Sequence, residues 1–86
     1  MKPAHFLGLG NLPLGTRAKV SGVAGGHGVV RRLEAMGIRP GVIVEKISGQ
    51  PFGGPVVVQV GRARVAVGFG MAQKVMVEPM IAEEPA

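Results

Sequence analysis

Short alternating runs of valine, cut every few residues by glycine or proline, set the tightest limit on what this chain can fold into. Residues 17–23 place Ala18, Val20 and Gly22 on one face and Arg17, Lys19 and Ser21 on the other. That is the two-residue period of a strand with one dry side and one wet side. Runs 42–47, 56–60, 63–67 and 74–78 read the same way, and Gly61-Arg62 joins the second and third of these as a tight hairpin. Only residues 29–36 carry a helical period. There Val29, Leu33 and Met36 fall on one stripe, Arg31, Glu34 and Ala35 point away, and Val30 sits on the flank. Gly37 follows where a helix commonly ends in the left-handed conformation. Five short strands with one short helix predict a mostly β fold, a small barrel.

Length allows one such unit and no more. With 86 residues the chain is a single domain, 1–86, with a core spanning about 9–79 and a fraying tail at 80–86 after Pro79. Glycine and proline are abundant, 15 and 7 residues, yet the fourteen valines give the chain apolar surface to bury, so the glycines are turns between strands. The longest apolar run, residues 65–72, is far below the ~18–20 residues that span a bilayer. Phe6–Leu9 is likewise too short for a signal-peptide core, and a cytoplasmic protein is expected.

The side-chain inventory excludes most chemistry. Cysteine, aspartate, tryptophan and tyrosine are absent, so disulfides, thiolate metal sites and cysteine nucleophiles are all ruled out. The remaining hydroxyls and histidines form no nucleophile–base–orienter set. No catalytic residue is assigned, and the chain is not expected to be an enzyme. Neither glycine-rich stretch completes a dinucleotide fingerprint, and no phosphate loop of the GxxxxGK[ST] type occurs. For metal, His5 and His27 are weak candidates, since two histidines and a carboxylate would have to converge to suit ferrous iron. No cofactor is required; a divalent metal, iron or a substitute, has only these two histidines to support it.

A formal net charge of +5 makes nucleic acid or an acidic protein surface the natural partners to weigh. The ten basic residues form no run of four, and the aromatics are Phe6, Phe52 and Phe69 alone, so base-stacking platforms are poorly provided. Nucleic acid is the disfavoured alternative. What remains is protein docking, with candidates in two places. One is the outer side of the helix, Val30, Arg31 and Glu34, beside the Gly25–Gly28 loop. The other is the loop carrying Phe52, Gly53 and Gly54, with Phe52 as its anchor. An open barrel edge also leaves homo-oligomers, including a metal-responsive dimer, as alternatives.

These landmarks line up with a known family. Leu14-Gly15-Thr16 leads into the first strand and Gly25-Gly26 precedes Arg32-Leu33. Met36-Gly37-Ile38 is followed by Pro40-Gly41, Pro51 and Gly53-Gly54-Pro55, and Val65-Ala66-Val67-Gly68 and Met71-Ala72 precede Val75 and Val77. The pattern resembles the FeoA family of small ferrous iron transport proteins over residues 9–79, and also the C-terminal domain of repressors of the diphtheria-toxin-repressor type. The resemblance implies an SH3-like barrel in the cytosol that assists FeoB, the membrane permease importing Fe²⁺, as an adaptor or regulator rather than a carrier.

Overall fold

A computed structural model describes residues 6–49 and 53–80. Six strands are present among them: β1 (Leu7–Gly8), β2 (Arg17–Val23), β3 (Ile43–Ser48), β4 (Val56–Val60), β5 (Ala63–Val67) and β6 (Val75–Pro79). They form one antiparallel sheet in the order β1-β6-β2-β3-β4-β5. Helix α1 (His27–Ala35) links β2 to β3, and a single turn, α2 (Phe69–Ala72), links β5 to β6. The sheet coils without closing, so β1 and β5 are its two edges.

The strands sit where valine alternation places them. In β2, Ala18 and Val20 are buried while Arg17, Lys19 and Ser21 are exposed. Val75 and Val77 of β6 are wholly buried, as are Val56, Val58 and Val67 of the β4–β5 hairpin. Two register shifts let the sheet coil: one between Val20 and Gly22 against β6, the other between Lys46 and Ser48 against β4. At the first, Ser21 is the surplus residue and its Oγ donates to the Met76 carbonyl at 3.1 Å.

Four features depart from the sequence expectation. A two-residue strand, β1, pairs Leu7 and Gly8 with Val77 and Met76, ahead of the core expected from about residue 9. A 3₁₀ turn over Leu9–Asn11 follows it and buries Leu9. Residues 68–72, between the expected strands 63–67 and 74–78, contain the single turn α2, which buries Ala72. Helix α1 starts two residues before the expected position 29, with Gly26 as its N-cap and no side chain capping it. Each was hidden because glycine interrupts it, and glycine has low propensity for both helix and strand. The tail expected at 80–86 is held at its first residue, where the Met80 amide donates to the Arg17 carbonyl at 2.9 Å; 81–86 lie outside the described residues.

The end of α1 shows how sequence fixes the helix on the sheet. The Ile38 amide donates to the Leu33 carbonyl at 2.8 Å and the Gly37 amide to the Glu34 carbonyl at 2.9 Å. That is the Schellman arrangement, with Gly37 in the left-handed region at φ +87°. Leu33 and Ile38 flank this turn, and both are fully buried in the core. The stop signal and the core anchors are thus one piece of structure.

Lysine 46 is the unusual member of the interior. The alternation of β3 points it inward beside buried Val44, and it is only 8% exposed. Its Nζ donates to the Gly10 carbonyl at 2.8 Å, tying β3 to the 3₁₀ turn near the start of the chain. The backbone of the same residue bonds residues 15 and 16 as well: the Gly15 amide donates to its carbonyl at 2.8 Å, and its own amide donates to the Thr16 carbonyl at 3.2 Å.

Candidate docking surface

Helix α1 presents a basic outer side. Leu33 faces the core, Val29 and Val30 are half-buried, and His27, Arg31, Arg32, Glu34 and Ala35 are exposed. Among the described residues the one ion pair is Arg17 to Glu45, at 3.8 Å across β2 and β3. Arg31, Arg32 and Glu34 therefore carry their charges outward with no ion-pair partner within the described part of the fold.

A cavity of about 240 Å³ lies beside this surface, lined by Gly28 and Val29 and Arg32 of α1 and by Met71 of α2. Gly25 lies against Val29 and Lys74: a Cβ there would come within 3.3 Å of Lys74 Cδ and 3.4 Å of Val29 Cβ. The hollow thus has apolar walls from Val29 and Met71 and one cationic group, Arg32, in its lining. By sequence Arg31 and Arg32 could each meet an acidic partner, adjacent helix positions pointing in different directions, and Met71 is a family landmark only. The meeting of Arg32 with Met71 depends on α2, which the sequence did not disclose.

The second candidate surface stands apart. A Cβ on Gly37 would lie 3.3 Å from Val60 Cγ1, so the C-terminal end of α1 rests against the last residue of β4. Gly53 and Gly54, both with positive φ (107° and 86°), precede the first residue of that strand. The helix end and the glycine pair therefore occupy opposite ends of β4. Phe52, the expected anchor, lies outside the described residues, as does His5. His27 is exposed at the first position of α1, and among the described residues no three of His, Asp or Glu come together. No described helix is long and apolar enough to cross a membrane.

The FeoA domain family model matches residues 7–79, nearly the whole chain. The chain belongs to the FeoA family. A putative Fe(2+) transport protein A from Methanocaldococcus jannaschii is 36% identical over 64 residues, covering 74% of this chain and 76% of that protein. Among solved structures, an iron uptake regulatory protein, FeoA, superposes with a TM-score of 0.83 at 32% identity, covering 88% of this chain and all of that one. Stenotrophomonas maltophilia FeoA, solved with zinc and described as an SH3 domain protein, gives a TM-score of 0.68 at 37% identity, covering 80% and 86%. The FeoA fold is therefore SH3-like, as the motif pattern implied. The family span also includes β1, two residues earlier than the core expected from sequence.

Proposed function

We propose that this FeoA-family chain is an accessory protein of ferrous iron uptake that acts by docking onto the FeoB-type permease at the cytoplasmic face of the membrane. The observation that carries the reading is the outer side of α1. Its charges have no ion-pair partner in the described fold, its position is locked by Leu33, Gly37 and Ile38, and a partly apolar hollow lies next to it. A rigid helix displaying charge beside a hollow suits recognition of a partner's acidic and apolar groups. Val30, Arg31 and Glu34 form the contact, and Gly53–Gly54 frame a second, separate one.

Regulation follows from population shift. A protein that grips one state of a permease more tightly than another changes activity by that difference in affinity. The docking itself is tested by passing detergent-solubilised permease over the immobilised protein at about 150 mM salt with nuclease present, a salt level at which exposed long-range charge effects are screened. Retention supports the reading. Failure to retain the permease, with nucleic acid co-purifying once nuclease is omitted, transfers it to the basic-barrel alternative.

A further inference from the structure

Strand β5 is an edge of the sheet, and its geometry points to a second binding mode separate from α1. Val60 and Ala63 flank the two-residue turn Gly61-Arg62, with Gly61 at φ +61°, the form in which the flanking pair exchanges both backbone hydrogen bonds. Counting outward, Val58–Val65 and Val56–Val67 are bonded pairs too. Arg64 and Ala66 occupy the alternate positions, so their N–H and C=O groups point away from β4 toward the open side. Neither makes another backbone hydrogen bond among the described residues. The opposite edge, β1, is only two residues long and offers no comparable row.

The side chains on this edge are exposed at Ala63, Arg64 and Ala66. Arg64 is oriented: its Nε donates to Gln59 Oε1 at 2.9 Å, and Gln59 Nε2 in turn donates to the Gly61 carbonyl at 3.0 Å. The two terminal nitrogens of Arg64 have no hydrogen-bond partner among the described residues. A guanidinium held by one nitrogen and open at the others is preset for a carboxylate. Arg62, exposed in the turn, adds a second cation at the same end.

We propose that β5 accepts an extended acidic segment of a partner protein as an added strand. The Arg64 and Ala66 backbone groups bond its main chain, and the Arg64 guanidinium binds a carboxylate on the facing residue. Strand addition of this kind draws affinity from the backbone and specificity from alternate side chains. A second copy of this chain fits less well. Antiparallel pairing of β5 with itself about Val65 sets both Arg64 side chains on one face, diagonal neighbours roughly 7–8 Å apart, in two chains of like net charge. Arginine on the edge thus disfavours self-pairing and favours an acidic strand.

The test uses the full chain and a capped peptide of alternating valine and glutamate, followed by amide NMR. Saturable shifts and slowed exchange concentrated at the Arg64 and Ala66 amides are expected. Arg64→Gln should weaken binding by about tenfold, the loss expected for one charge-assisted hydrogen bond. Backbone N-methylation of the peptide should abolish it, and Lys19→Gln, an equal charge change at an exposed position of β2, two strands away from β5's neighbour, should leave it unchanged. The proposal is overturned by no response, by an equal response to a valine–lysine peptide, or by shifts that gather on α1. Protection of the two amides that rises with protein concentration alone would overturn it in favour of a second copy.

Discussion

Two residues concentrate the physical logic of the fold, Lys46 and Gly37. Lys46 puts an ammonium among valines, and its bond to the Gly10 carbonyl is what makes that placement tolerable. Lys46→Ala removes the bond, leaves a polar group short of its partner and opens space, so a loss of about 1–3 kcal/mol in urea unfolding is expected. Lys46→Met keeps most of the volume and removes the charge, so it should cost less than the alanine variant. Equal midpoints for wild type and Lys46→Ala would show that the bond does not hold the N-terminal turn. Gly37→Ala forces a side chain into the left-handed region and toward Val60, and should cost about 1–2 kcal/mol by the same measurement.

At the scale of elements, α1 divides its labour between two sides. Leu33 is wholly buried and Arg31 exposed, so Leu33→Ala should destabilise the domain by about 2–5 kcal/mol, while Arg31→Glu should leave the unfolding midpoint within experimental error. Permease binding should respond in the opposite way: lost with Arg31→Glu in a folded protein. Both sides of the helix were legible, because period 3.6 separates Leu33 from Arg31 without help from the rest of the chain. So were the five longer strands, whose valines alternate, and the hairpin at Gly61. What stayed hidden depends on tertiary pairing. Leu7–Gly8 becomes a strand only because Val77 and Met76 lie opposite it. Phe69–Ala72 becomes a helical turn although Gly68 and Gly70 argue against one, and Ala72 is buried by its surroundings. The inward position of Lys46 was visible in the alternation of Val44 and Lys46, but its acceptor, thirty-six residues away in sequence, was not.

For the whole molecule, charge sets the character of association. A net charge of +5 over 86 residues favours acidic partners and speeds their encounter at low salt. Capture by the apolar hollow beside α1 is not screened in that way, so permease binding should fall only modestly between low and physiological salt. Nucleic-acid binding through phosphates would instead fall steeply over the same range. The candidate docking side of the molecule was half readable for the same reason: Val30, Arg31 and Glu34 belong to one helix, whereas the hollow needs α1 and α2 together. The most direct test of the central claim is the affinity of nuclease-treated wild type and Arg31→Glu for solubilised FeoB-type permease at about 150 mM salt, where attraction beyond about 8 Å is screened and direct contacts at the interface are not. The account predicts saturable binding by wild type and a loss of roughly tenfold or more in the variant, with unchanged unfolding. Absence of wild-type binding, or equal binding by the variant, would contradict it.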